Sequence, residues 1–351
     1  MKVVIRADAS VAIGTGHIMR CLTLAESLRL QTADVLFVCR NEPGNCCDLI
    51  RQKGFEVVSL PAGTAFDPSA DAALTAGVLG HGTDCLIVDH YGIDSTWENR
   101  LRPHTKCIMV IDDLADRNHD CNVLLDQNLF ENMQTRYKGR LPSNCRLFLG
   151  PRFALLRDEF ITARQYLQAR DGVVRQMLLF FGGSDPTNET EKALHALGHV
   201  ECGDILIDVV VRAANPARER VRAMCAALPN VTYHCQISNM AELMARADLA
   251  VGAGGTTTWE RCFLGLPTLI VVVAGNQVQP ARAADNAGLA WLLGASDEVR
   301  AQSLAAAINS LLKRPAELAE LSQRCLAFMG ERPSPVHDDV ARSLCEVCNA
   351  A

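Results

Sequence analysis

The sequence predicts an α/β protein built from two Rossmann-like domains facing a cleft. Three observations carry that prediction. Short apolar runs alternate with longer amphipathic segments through both halves of the chain. The apolar runs are nearly continuous, as in parallel strands covered on both faces. The pattern then restarts near residue 172 with a second glycine-rich first turn. A chain of 351 residues also suits two domains better than one.

In the first half the strands read KVVIRAD, ADVLFVC, FEVVSL, DCLIVD, CIMVIDD and CNVLLDQ. The first helix is expected over Gly16–Gln31, with Ile18, Leu22, Ala25 and Leu28 on one face. Residues Ala154–Asp171 are charged and of helical pattern, and read as a connection between domains. The second series reads QMLLFF, ILIDVVV, NVTYHC, ADLAVG and PTLIVVV. The final DDVARSLCEVCNA is a helix expected to pack back on the first domain. The expected domains are thus 1–155 joined by 335–351, and 172–330.

The totals exclude several classes. The formal net charge is −6 and no Lys/Arg-rich run occurs, so no nucleic-acid partner is expected. No run approaches the roughly 20 apolar residues of a membrane helix, and MKVVIRADAS reads as a first strand rather than a signal peptide. Fifteen cysteines are scattered through apolar runs, which fits a reduced, cytoplasmic protein, expected to be a monomer. Cys46-Cys47 and Cys345-x-x-Cys348 have no second matching pair and no histidines at ligand spacing, so no metal site is expected.

Ligands of α/β sheets sit at the carboxyl ends of strands. One such end carries Gly252-Ala253-Gly254-Gly255, after which Thr256 and Thr257 open a helix. Glycines admit a close backbone approach, and a helix start offers N–H donors to a phosphate or diphosphate. Glu260, one turn in, could accept both hydroxyls of a ribose diol; alternatively it is an exposed glutamate behind a tight turn. Gly182, Gly183 and Ser184 form a similar turn before Asp185. Asn276 and Gln277 follow another strand and suit sugar hydroxyls, or a helix cap. The first turn, IGTGH, holds Gly14, Gly16 and His17, with Met19 where a dinucleotide fingerprint has its third glycine. His17 either caps the turn or serves as a general base from a helix start. Asp89, His90 and Tyr91 end one strand. Asp112 and Asp113 end another, as caps or partners of Arg117 rather than Mg²⁺ ligands.

Together the blocks IRADASVAIGTGHIMRCLTLA, DCLIVDHYGID, IDDLADRNHDCNVLLDQN, LGPRFALLRDEF, FFGGSDPTN and GAGGTTTWERCFLGLPTLIVVVAGNQ resemble the PseG family, the UDP-2,4-diacetamido-2,4,6-trideoxy-β-L-altropyranose hydrolases of pseudaminic acid biosynthesis. The resemblance runs in order from Lys2 to about Gln277. It implies the GT-B architecture, similar to MurG, and a metal-independent, cofactor-free hydrolase. Such an enzyme transfers the glycosyl group to water with inversion, releasing UDP and the free diacetamido sugar. It places the catalytic histidine on His17, the tyrosine of the D-H-Y block on Tyr91, the ribose-binding glutamate on Glu260 and the Asn-Gln pair on Asn276 and Gln277. The chain departs from the family pattern at Gly252, where a serine is usual, and at Gly275, where a side chain is usual.

On this reading the diphosphate rests on Gly254, Gly255, Thr256 and Thr257. Tyr91, ahead of Arg20 and Arg6, supports the sugar or water. Asp8, close along the chain, is expected to hydrogen-bond His17 and set its tautomer. The alternatives are a GT-B glycosyltransferase using another acceptor, a hydrolysing 2-epimerase, and a non-catalytic UDP-sugar-binding protein.

Overall fold

The computed structural model describes residues 1–63, 65–80, 82–183, 185–213, 215–330 and 336–350. The chain forms two compact units, Met1–Leu156 with Ser334–Ala351, and Arg157–Pro333.

The first unit is a seven-stranded parallel sheet in the order β3-β2-β1-β4-β5-β6-β7. Its strands are β1 (Lys2–Ala7), β2 (Asp34–Arg40), β3 (Glu56–Leu60), β4 (Thr83–Asp89), β5 (Thr105–Ile111), β6 (Val123–Asp126) and β7 (Arg146–Leu149). Both faces are covered, which explains the unbroken apolar runs. Val3 and Ile5 of β1 join one core, with the helix Gly16–Leu30 and the C-terminal helix Val336–Ala350. Val4 joins the core on the other face, with Trp97 and Leu101.

The second unit is a six-stranded parallel sheet, β10-β9-β8-β11-β12-β13. Its strands are β8 (Gln176–Phe180), β9 (Leu206–Val211), β10 (Val231–Cys235), β11 (Leu249–Ala253), β12 (Thr268–Val272) and β13 (Trp291–Ala295). In each sheet the order reverses beside the first strand of the series, the switch point at which open α/β sheets place ligands.

Two edge strands, β7 and β13, are absent from the sequence reading. The first is only four residues long, and the second is half-buried throughout and contains Gly294 at φ +143°. The connecting helix is also shorter than the expected Ala154–Asp171, spanning only Asp158–Gln165. Arg170 gives a physical reason. Its guanidinium donates to the carbonyls of Met244, Ala245, Ala247, Leu264 and Gly265. That pins the following segment to the second unit in a non-helical path. Burial pulls Arg170 down to about 10.

Candidate active site

In the first unit, the turn after β1 folds back on itself. The Gly14 N–H donates to the Ser10 carbonyl at 2.8 Å, and Gly14 holds φ +81°, a left-handed conformation suited to glycine. Gly16 then begins the helix, bringing His17 and Arg20 onto the face turned to the sheet. Both are buried.

Their common partner is Asp89, the last residue of β4. His17 Nδ1 lies 2.5 Å from Asp89 Oδ1. Arg20 grips the same carboxylate side-on, Nε to Oδ2 and Nη2 to Oδ1, both at 2.6 Å. Burial alone would raise the Asp89 carboxyl, but Arg20 and His17 outweigh it and hold it well below the usual range. An ionised carboxylate at Nδ1 requires the proton on that nitrogen, which leaves Nε2 as the basic atom. Nε2 has no hydrogen-bond partner among the described residues. The Tyr91 ring meets His17 edge-on, with centroids 4.7 Å apart. Burial and the neighbouring Asp113 carboxylate push the Tyr91 hydroxyl up.

Asp8 does not contact His17, contrary to expectation. Its carboxylate accepts Arg6 Nη1 and Nη2 at 2.6 and 2.9 Å and the Arg40 N–H at 2.7 Å, and lies 3.4 Å from His90 Nε2. The cause is strand parity. Arg6 and Asp8 continue the Val4 face of the sheet, whereas the His17 helix covers the Val3–Ile5 face. Asp89 follows Cys85 and Ile87 on that same Val3–Ile5 face and pairs in register with Ala7. Arg6 is likewise unavailable as a support, being fully buried between Asp8 and Asp71. Asp112 pairs with Arg117 at 2.8 Å and accepts the Ala115 N–H. Asp113 accepts from Asn128 at 3.2 Å and lies 3.5 Å from Arg20.

In the second unit, β11 runs into Gly254 and Gly255, and the helix Thr257–Phe263 starts with Thr256 at its cap position and no side-chain cap. The Thr258 and Trp259 N–H groups already donate to the Gly255 and Thr256 carbonyls, so the candidate donors are those ahead of them, at Gly255, Thr256 and Thr257. Gln277 packs against the glycines; a Cβ on Gly255 would stand 3.6 Å from Gln277 Nε2. Gln277 itself accepts the Val273 N–H. Asn276 is exposed in the short turn Gly275–Gln277. Glu260 is tethered through Oε1 to Arg157 Nη2 at 3.2 Å, while its Oε2 is buried with no hydrogen-bond partner among the described residues. Arg157 in turn pairs with Glu159. Neither residue stood out in the sequence, because both read as part of a solvated linker helix.

Gly183 is partly buried beside Gly182 at φ +98°. Ser184 lies outside the described residues. The next residue, Asp185, serves the helix Glu189–Leu197, accepting the N–H groups of Glu189 and Thr190 at 2.8 and 2.9 Å. Gly252 has a specific cause. A Cβ there would stand 2.1 Å from Arg261 Nη1 and 2.4 Å from the Phe180 carbonyl. The buried Arg261 guanidinium occupies that space and ties the turn together through the Ala253 carbonyl and Thr258 Oγ1. A Cβ on Gly275 meets nothing within 4 Å.

Among the described residues, one group of possible metal-ligand side chains is clustered, Cys85, Cys107 and Cys348. It includes neither Asp112 nor Asp113.

The two parallel sheets, each reversing its strand order beside its first strand, define a protein of the GT-B fold. Residues 177–330 match the glycosyltransferase family 28 C-terminal domain. The chain superposes on the crystal structure of MurG from Acinetobacter baumannii with a TM-score of 0.66, covering 98% of this chain and 99% of that one at 14% identity. Over 279 residues it is 25% identical to the UDP-2,4-diacetamido-2,4,6-trideoxy-beta-L-altropyranose hydrolase of Campylobacter jejuni, covering 79% of this chain and 93% of that protein. Over 286 residues it is 26% identical to an uncharacterized protein of Methanocaldococcus jannaschii, covering 80% of this chain but only 57% of the archaeal protein's length. Among the described residues no helix is long and apolar enough to cross a membrane.

Proposed function

We propose that the protein hydrolyses a UDP-linked diacetamido sugar, UDP-2,4-diacetamido-2,4,6-trideoxy-β-L-altropyranose, to UDP and the free sugar. The observation that carries this reading is the His17–Asp89 contact at 2.5 Å, with Arg20 fixing the carboxylate and Nε2 without a hydrogen-bond partner among the described residues. A base of fixed tautomer beside a glycine turn suits activation of water. The Campylobacter relative's name and the order of shared blocks support the choice of substrate.

In this mechanism the water oxygen attacks the anomeric carbon on the face opposite UDP. Its proton passes to His17 Nε2 as the bond from the anomeric carbon to the diphosphate oxygen breaks. The electron pair leaves with UDP, and the configuration inverts. Uncapped N–H groups at Gly255, Thr256 and Thr257 offset the charge developing on the diphosphate. The Glu260 carboxylate receives the ribose hydroxyls, and Asn276 and Gln277 contact the sugar side. Tyr91, edge-on to His17, supports the sugar or the water.

The family 28 match favours a second reading, transfer of the sugar to another acceptor. Product analysis separates the two. Incubation with the UDP-sugar and no acceptor should give UDP and free sugar in equal amounts, with the inverted anomer formed first by NMR. An absolute need for an added acceptor would overturn hydrolysis. The rate should survive EDTA; loss with EDTA and recovery with Mg²⁺ would overturn the metal-free mechanism.

A further inference from the structure

The chain carries a second chemical feature on the sheet face that holds the His17 helix. Cys85 of β4 and Cys107 of β5 are paired in register on adjacent strands. Cys348, on the C-terminal helix Val336–Ala350, lies against them. All three sulfurs fall within 4.8 Å of one another, and all three residues are buried, at 0%, 0% and 4% exposure. Cys85 precedes Asp89 by four residues on β4, about 13 Å along a strand, so the cluster is separate from the proposed catalytic base.

We propose that Cys85, Cys107 and Cys348 form a three-thiolate site for a soft monovalent metal ion of the Cu(I) class, which clamps the C-terminal helix to the sheet of the first unit. At a metal–sulfur distance of about 2.3 Å, a trigonal ion needs sulfurs about 4 Å apart, inside the 4.8 Å that bounds the three sulfurs here. Structural zinc takes four ligands, and among the described residues the group supplies three. Soft thiolates without nitrogen or oxygen partners select Cu(I).

Binding forms three Cu–S bonds, and the three thiol protons pass to solvent without change of oxidation state. The Cys345-x-x-Cys348 spacing gave no hint of this, because the partners of Cys348 are distant in sequence.

The test uses the reduced, full-length protein under anaerobic conditions, with Cu(I) supplied against bicinchoninate as competitor. Wild type should retain one equivalent that Cys85→Ala, Cys107→Ala and Cys348→Ala each lose. Replacing the exposed Cys235 by alanine should leave that equivalent in place. Cu(I) should also raise the thermal midpoint of wild type and not that of Cys348→Ala. The site is overturned if wild type retains no Cu(I) against the competitor, or if all three variants retain as much as wild type. Should Cys348→Ala fail to fold, the comparison of Cys85→Ala and Cys107→Ala with wild type decides the question.

Discussion

The Asp89 carboxylate is fully buried, held by His17 and Arg20 with the Cys21 thiol 3.6 Å from Oδ2, and no solvent competes for it. Removing its charge while keeping its shape therefore tests the proposed base more cleanly than removing the imidazole. Asp89→Asn should lower turnover on the order of 10²–10⁴-fold, the range of a positioned general base, while UDP binding stays unchanged. UDP release under saturating substrate measures it, and wild-type turnover would remove Asp89 from the mechanism. Asp126 offers a pH readout in the same unit. Burial pushes its carboxyl up to about 7, against the opposing pull of Arg136. A raised folded-state value means the native protein holds that proton more tightly than the unfolded chain. This contribution to stability is therefore full below about pH 4 and lost as pH rises through 7. Asp126→Asn should remove that downward slope from urea-unfolding curves recorded between pH 4 and 7, and an unchanged slope would contradict the assignment.

At the scale of elements, the glycine turn of β11 and the last helix make opposite demands on side-chain volume. Gly252 leaves room for Arg261, and one of the contacts a new Cβ would make is a backbone carbonyl that cannot swing aside. Gly252→Ser should cost at least about 1–3 kcal/mol of stability through overpacking, whereas Gly275→Ser should cost almost nothing. Thermal unfolding of the pair compares them directly. The C-terminal helix instead depends on filled volume. Val340, Ala341 and Leu344 are fully buried against the first unit's core. Leu344→Ala should cost about 2–5 kcal/mol, a loss incompatible with a dispensable tail. The unbroken apolar runs made the central strands legible in the sequence. The edges β7 and β13 were not, since a short or half-exposed strand lacks that signature. Asp89 was named at a strand end, and the alternation Cys85, Ile87, Asp89 could have placed it beside the His17 helix; sequence proximity favoured Asp8 instead. Arg157 carried no signal, because its partner Glu260 is 103 residues away.

For the whole molecule, the residues proposed to act on water and those proposed to hold UDP belong to different units, each with its own sheet and core. That division predicts that binding and turnover can be damaged separately. His17→Ala should leave the UDP dissociation constant within about twofold of wild type while abolishing most turnover, because the residues proposed to hold UDP belong to the second unit and His17 to the first. Glu260→Ala should do the reverse in binding. Losing hydrogen bonds to a charged acceptor is worth about 1.5–3 kcal/mol, or roughly 10- to 100-fold in the UDP dissociation constant. Arg157→Ala should fall between them, since it frees the carboxylate from its tether without removing it. Calorimetric titration with UDP, run alongside turnover assays on the same three variants, measures both effects. A large loss of UDP affinity in His17→Ala, or none in Glu260→Ala, would show that binding and chemistry are not divided between the units in this way.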